Sequence, residues 1–342
     1  MDAKERFDLI KRNTDEILKE EELMKLLKEK EHPVVYLGVS ITGRPHVGYY
    51  LWVLKLSDFI KAGFKLKILL ADLHGALDNT PWELLEKRYD YYSNVITGMF
   101  ESVGADTKKI EFVKGSSYQL SKEYVQDLFK LSSIVSVHDS HKAASDVVKM
   151  GDNPKLSGLI YPLMQALDEV YLEADVQYGG RDQRKIMVLA RENLPKIGYA
   201  SHVEVMTPLI PGLTASGKMS SSDPNSKIDL LDTKKEIGKK LNKAFCPEKQ
   251  VVDNGVLAFA KYVTFVNLEN KGKTFVINRP EKFGGKLEFA NYTELEKAFE
   301  EGKLHPMDLK MGLTDELDLM LDVIRNKMQG KEKLISEAYP EK

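Results

Sequence analysis

The chain has 342 residues, 42% hydrophobic and 30% charged, with a formal net charge of −2. At roughly 150 residues per domain this is about two domains with ample apolar chain for a core, and the near-neutral balance excludes a protein held to nucleic acid by bulk charge, though not one with a local basic face. The single cysteine, Cys246, excludes an intramolecular disulfide framework and a multi-cysteine zinc site.

Taken in order, residues 1–33 read as a charged N-terminal segment of two helices, with Phe7, Ile10 and Ile17 as its apolar stripe and Asn13 with Glu16 as a capping box for the second. The opening Met1-Asp2-Ala3-Lys4-Glu5-Arg6 lacks the basic-then-apolar order of a signal peptide. No apolar run approaches the ~20 residues of a membrane span, so a cytosolic protein with no membrane partner is expected. Val34-Val35-Tyr36-Leu37 predicts a buried strand, and a helix pattern runs from His46 to about Ala62 with Gly63 as its cap. Phe64 to Ala71 predicts a second buried strand, which makes a βαβ unit and hence a parallel sheet.

The alternation continues. Thr80-Pro81-Trp82-Glu83 reads as a helix start with a threonine cap, and Ile110 to Val113 as a strand. Two helices are expected within 121–150, one from about Leu156 to Glu173, a strand at Ala174–Tyr178, a helix through Asn193 and a last strand at Glu204-Val205-Met206. Residues 208–226, rich in glycine and serine, read as a mobile loop. From 227 to 342 the pattern is mainly helical. The boundaries expected are therefore 1–33, 34–207 with an inserted helical region at about 118–160, 208–226, and 227–342.

Two loops carry the chemistry. Gly38, Gly43 and Pro45 lead into His46-Val47-Gly48 at a helix start, where free backbone N–H groups and a partial positive charge suit a phosphate. A histidine there can donate to a phosphate oxygen, although a plain helix cap has the same sequence. Lys218-Met219-Ser220-Ser221-Ser222 places one lysine and three hydroxyls in a glycine-flanked loop, suited to closing over a polyphosphate, although a solvated serine turn reads alike. One loop follows the first strand and the other the last, and loops at the carboxyl ends of parallel strands gather at one crevice.

With these motifs the sequence resembles the class I aminoacyl-tRNA synthetases, and more narrowly the archaeal and eukaryotic cytosolic tyrosyl-tRNA synthetases. The similarity extends through Ala71-Asp72-Leu73-His74, Tyr161-Pro162-Leu163-Met164-Gln165-Ala166-Leu167-Asp168, Gly179-Gly180-Arg181-Asp182-Gln183-Arg184-Lys185 and His305-Pro306-Met307-Asp308-Leu309-Lys310. It implies an α/β fold: a Rossmann-like parallel sheet with an inserted helical region, plus a C-terminal helical anticodon-binding domain. The implied reaction is activation of L-tyrosine by ATP, with Mg²⁺ on the phosphates, then transfer to the 3′ end of tRNA(Tyr).

Tyr161, Gln165 and Asp168 stand at i, i+4 and i+7, on one face of a mostly apolar helix. A carboxylate and an amide there need buried partners, and a tyrosine substrate supplies them. Asp168 and Tyr36 are expected at its hydroxyl, and the resemblance puts Tyr161, Gln165 and Gln183 at its amino group and Leu69, His74, Tyr118, Gln119 and Leu172 around its ring. Phenylalanine would leave two polar groups unpaired in a dry pocket; the tyrosine enzyme is itself the standard example of such selectivity, with ~10⁵ discrimination and no editing. ATP is expected at Gly38, Gly43, His46, Gly48, Gly180, Asp182 and Lys218, with His46, Lys218, Ser220 and Ser221 as the catalytic set.

The resemblance further implies tRNA contacts at Lys142, Arg184 and Lys185 near the acceptor end and at Phe283 and Asp308 near the anticodon, where an aromatic can stack on a free base; Phe283 also fits a core position. A homodimer through residues 118–160 is implied, and no protein side chain is expected to hold a metal. Two departures stand out: Tyr49 replaces the second histidine of the first motif, and Ser221 replaces the second lysine of the second motif. A monovalent cation is the expected substitute for that lysine charge, and equal activation rates in potassium and in a large inert cation would sink the idea. The alternatives are a tryptophan–tRNA ligase on the same scaffold, against which Tyr36 with Asp168 argues; a small adenylyltransferase sharing the first motif; and a synthetase-derived, non-catalytic RNA-binding scaffold.

Overall fold

The computed structural model describes residues 1–148, 150–213 and 227–340. The central sheet is built from β1 (Glu16–Leu18), β2 (Val34–Ser40), β3 (Lys65–Ala71), β4 (Ile110–Lys114), β5 (Val176–Gly180) and β6 (Val203–Thr207). Their spatial order is β1-β6-β5-β2-β3-β4, all parallel except β1, which runs antiparallel to β6. From β2 the chain first adds β3 and β4 on one side, then returns to add β5 and β6 on the other. The direction of winding therefore reverses between β2 and β5, and the open crevice of such a sheet lies at the carboxyl ends of those two strands.

Apolar runs form these strands because helices cover both faces of the sheet. Val35, Leu37, Ile68, Leu70 and Val176 are buried, as are Val53, Leu56 and Phe59 of the helix Tyr50–Lys61 that joins β2 to β3. That helix ends at Gly63, whose φ of 89° is the left-handed cap conformation a glycine adopts without strain. The inserted helices Lys122–Ile134 and Val137–Ala144 pack through Tyr124, Leu131, Ala143 and Ala144 against Leu163, Met164 and Leu167 of the helix Leu156–Tyr171. The expected class, a Rossmann-like parallel sheet with inserted helices and a helical C-terminal region, is what the chain forms.

The C-terminal region shares the sheet's core. Val95, Met99 and Phe100 of the helix Leu85–Ser102 and Leu317, Leu321 and Ile324 of the helix Pro306–Met328 belong to one buried cluster. The two helices approach closely at Gly98, where a Cβ would lie 3.3 Å from the Ile324 Cα. The packing there depends on the missing side chain.

Several local expectations are corrected. Asn13 and Glu16 do not cap a helix: Asn13 has φ 56°, and Glu16 opens β1, whose pairing with β6 captures Glu16-Ile17-Leu18 as an edge strand. Residues 1–33 are thus two helices, Ala3–Lys11 and Glu20–Glu29, flanking a strand. Thr80 does not cap either. Pro81 precedes a 3-10 turn, Trp82–Leu84, and the buried Thr80 hydroxyl accepts from Arg88 at 3.3 Å. The mainly helical C-terminal region also holds an antiparallel pair that periodicity did not reveal, β7 (Phe275–Ile277) with β8 (Leu287–Phe289).

Candidate active site

A cavity of about 1250 Å³ opens at the switch point, walled by the ends of β2 and β5 and by the helix Leu156–Tyr171. Tyr36, Gly38, Gly43, His46, Gly48, Leu69, His74, Tyr161, Gln165, Asp168, Gly180, Asp182 and Gln183 all line it, residues drawn from four separate stretches of chain.

Its deep end is polar and buried. Asp168 is fully buried. Its Oδ1 accepts from the Tyr118 hydroxyl at 2.8 Å, the Gln119 amide at 2.8 Å and the Tyr124 hydroxyl at 3.0 Å. Its Oδ2 has no hydrogen-bond partner among the described residues, and the His74 Nε2 stands 3.7 Å away, beyond hydrogen-bonding range. Burial pushes the Asp168 carboxyl above the usual carboxylate range, against the opposing pull of His74 and the three donors. The same burial, reinforced by the Asp168 charge, holds the Tyr36 phenol well above its ordinary value, so it stays protonated. Its hydroxyl lies 3.3 Å from the Gln165 carbonyl and 3.0 Å from the Gln177 amide. Gln165 donates in turn to Gln183 at 3.1 Å. One buried carboxylate oxygen left without a partner is an acceptor open to a donor from a ligand.

The mouth is built differently. His46 precedes the 3-10 turn Val47–Tyr49 and its Nδ1 accepts from the Gly48 N–H at 3.2 Å. That bond assigns the ring proton to Nε2. Burial, helped by the positive Lys227, lowers the His46 pKa to about 4, so at neutral pH the ring is an uncharged N–H donor facing the cavity. The loop before it is fastened from below. Arg88 donates to the Thr42 carbonyl and lies over the Tyr339 ring, and the Tyr92 and Tyr339 hydroxyls both donate to the Gly43 carbonyl. Across the cavity, a Cβ on Gly180 would lie 2.7 Å from Asp182 Oδ1. Glycine there lets the Asp182 carboxylate fold back over the strand end.

Some expected residues fall elsewhere. Tyr118, Gln119 and Leu172 do not line the cavity. The first two stand behind Asp168 as its donors, and Leu172 packs with Tyr36 and Leu69. Lys218, Ser220 and Ser221 lie outside the described residues, as does most of the expected loop 208–226. Its described flanks meet the site: Leu209 and Ile210 line the cavity, the Val47 N–H donates to the Ile228 carbonyl at 3.0 Å, and Arg44 pairs with Asp229 at 2.8 Å. Away from the cavity, Lys142 is exposed, Arg184 forks onto Glu16 at 2.7 and 2.9 Å, and Lys185 pairs with Asp146 at 2.8 Å. Phe283 is 61% exposed, which removes the core reading, and Asp308 accepts from Arg279 at 3.1 Å. Gln177 and Tyr124 were missed. The available signal for Gln177 was one amide in the otherwise apolar stretch Val176-Gln177-Tyr178; nothing local marks Tyr124.

Sheet order, crevice position and an uncharged histidine at a helix start define a nucleotide-binding domain of the class I synthetase type. Residues 28–322 match the family described as tRNA synthetases class I (W and Y). The chain is 50% identical over 340 residues to the cytoplasmic tyrosine–tRNA ligase of Gallus gallus, covering 98% of this chain and 63% of that one. It is 42% identical to the tyrosine–tRNA ligase of Haloarcula marismortui, covering 100% of this chain and 99% of that one. Its fold superposes with a TM-score of 0.88 on the tyrosyl-tRNA synthetase of Archaeoglobus fulgidus solved with L-tyrosine, at 39% identity, over 96% of this chain and 100% of that one. The chain belongs to the class I tRNA synthetases, in the tyrosine–tRNA ligase family.

Proposed function

We propose that this chain is a tyrosine–tRNA ligase, which activates L-tyrosine with ATP to tyrosyl-adenylate and transfers the tyrosyl group to the 3′ end of tRNA(Tyr). One observation carries the substrate choice: the unpartnered Asp168 Oδ2 at the closed end of the slot, beside the Tyr36 hydroxyl. A phenol O–H donates to that oxygen, with the Tyr36 hydroxyl beside it. Gln165, Gln183 and Tyr161 take the ammonium group, with Leu69 and His74 along the ring. An indole has no hydroxyl for this end, so the tryptophan reading is not favoured.

ATP lies over Gly38, Gly43, Gly48 and Gly180, with its ribose toward Asp182. The substrate carboxylate attacks the α-phosphate and pyrophosphate leaves; the acceptor ribose of tRNA then displaces AMP. The His46 Nε2–H donates to phosphate oxygens as charge builds, without itself being charged. Lys218 with Ser220 and Ser221 is the second phosphate-binding group, supported by the contacts of the flanking residues with the His46 loop. Mg²⁺ is proposed to arrive on the ATP phosphates rather than on protein ligands, and a monovalent cation to offset the lysine absent at Ser221.

For tRNA we assign the acceptor end to Lys142, Arg184 and Lys185 and the anticodon to Phe283 and Asp308, and for the chain the four-part division at residues 33, 207 and 226. A homodimer through residues 118–160 is supported by the exposed apolar side chains Leu120, Phe129, Val137 and Leu156. The relatives' cytoplasmic designation supports a cytoplasmic location. The test is ATP–pyrophosphate exchange with each of the twenty amino acids supplied separately. Exchange with tyrosine alone is expected; exchange with tryptophan would overturn the pocket assignment, and none from folded protein would favour an RNA-binding scaffold.

A further inference from the structure

Behind the slot lies a second polar layer that the reaction does not use directly. Gln177, Glu169 and Glu204 are all buried there. The Gln177 amide stands between two acceptors and two donors, and only one orientation suits all four. With its nitrogen toward Glu169 and Glu204, the latter at 3.2 Å, its oxygen accepts from the Gln165 amide at 3.1 Å and from the Tyr36 hydroxyl at 3.0 Å. Turned over, it would aim oxygen at two carboxylates and nitrogen at two donors. The His202 Nδ1 lies 2.9 Å from Glu169 Oε2 without a hydrogen bond between them, and the positive Arg191 acts on both acids through its charge. Burial raises both carboxyls well above their usual range, and the Asp168 charge adds to the effect on Glu169.

The geometry has a consequence for the substrate. Gln165 also donates to Gln183, so one amide oxygen on β5 ties the phenol end of the slot, through Tyr36, to its ammonium end, through Gln165 and Gln183. These groups come from three different elements, and none of them fixes the spacing between the ends. We propose that Gln177 is a positioning residue for amino-acid recognition: oriented by Glu169 and Glu204, its amide sets the Tyr36 hydroxyl and the Gln165 amide at the separation tyrosine requires. The proposal rests on the tyrosine reading of the site. It deepens that reading by adding a specificity determinant that does not touch the substrate's reacting atoms.

Gln177→Met keeps length and volume and removes both hydrogen-bonding ends. In pyrophosphate exchange, the KM for tyrosine should rise about tenfold and the preference for tyrosine over phenylalanine should fall by about as much, for the loss of about one net hydrogen bond. The kcat and the KM for ATP should stay within about twofold. Glu204→Gln, which frees the Gln177 amide to turn over, should move the tyrosine KM and the preference the same way by a smaller factor, about threefold. A folded Gln177→Met enzyme with the wild-type tyrosine KM and preference would overturn the proposal. So would a fall in kcat and in ATP affinity with the preference unchanged, since that is the mark of a merely structural role. If Gln177→Met does not fold, wild-type values for Glu204→Gln overturn it instead. Failure of the wild-type enzyme to exchange with tyrosine would defeat the tyrosine reading, a separate outcome.

Discussion

The Tyr124 hydroxyl donates to Asp168 across 3.0 Å, from a helix of the inserted region to the helix that walls the cavity. With Tyr118 and Gln119 it saturates one carboxylate oxygen and so turns the other toward the slot. The insertion between β4 and β5 therefore shapes the closed end of the cavity, the proposed amino-acid pocket, as well as lying beside it.

Asp168→Asn should test that arrangement directly. The three donors hold an amide oxygen where Oδ1 stands, so the amide nitrogen takes the Oδ2 position and the slot loses its acceptor. A charged hydrogen bond contributes ~1.5–3 kcal/mol, so the tyrosine KM should rise about 10- to 100-fold in pyrophosphate exchange. An unchanged KM would mean that the substrate hydroxyl is held elsewhere.

His46→Asn separates capping from phosphate contact. Asparagine caps as well as histidine accepts the Gly48 N–H here, but it is too short to carry a donor to the position of Nε2. The melting temperature should hold within a degree or so, while kcat falls about 10- to 100-fold. Unaltered kcat would leave His46 as a cap only.

The same residue predicts a pH effect on stability. His46 titrates at about 4 in the folded chain against 6.5 as its ordinary value. Between those values the unfolded chain binds the extra proton, so the stabilising difference is fully present above pH 6.5 and is lost as the pH falls toward 4. Relative to His46→Asn, the wild type should lose up to about 3 kcal/mol across this window in denaturant titrations. Parallel curves for the two proteins would show that the ring is not buried as described.

Gly180→Ala should act on the nucleotide and not on tyrosine. The added Cβ would meet Asp182 Oδ1 at 2.7 Å, so the carboxylate must swing away. The KM for ATP should rise about fivefold or more, the scale of one lost hydrogen bond of ~1 kcal/mol, with the tyrosine KM unchanged. Equal effects on both substrates would point to a general distortion of β5.

Asp58→Asn should cost stability. Asp58 is buried, accepts from Arg12 Nε at 3.0 Å and lies 3.2 Å from the buried Lys55 Nζ. It is the anion that fixes the N-terminal segment to the helix Tyr50–Lys61. Breaking a buried pair costs ~3–5 kcal/mol, and with one oxygen retained the lower end is expected, a fall of roughly 4 °C in Tm. A change of a degree or less would mean that the two cations find other partners.

What the sequence determined by itself is the part written in short-range pattern. The apolar runs at Val34–Leu37 and Ile68–Leu70, separated by one helix length, require a parallel βαβ unit. The positions of Tyr161, Gln165 and Asp168 put three polar groups on one helix face, and the glycines around His46 mark a helix start able to receive phosphate. Tertiary structure decided the rest, because it depends on contacts between residues far apart in the chain. Pairing with β6 made Glu16–Leu18 a strand where helix periodicity read otherwise. Burial made His46 a neutral donor, an effect of surrounding protein that no local motif encodes. Gln177 meets Tyr36 across 141 positions and Tyr124 meets Asp168 across 44. Hydrogen bonds of that span leave no periodicity behind, since each partner is chosen by the fold that brings it near and not by its neighbours in the chain.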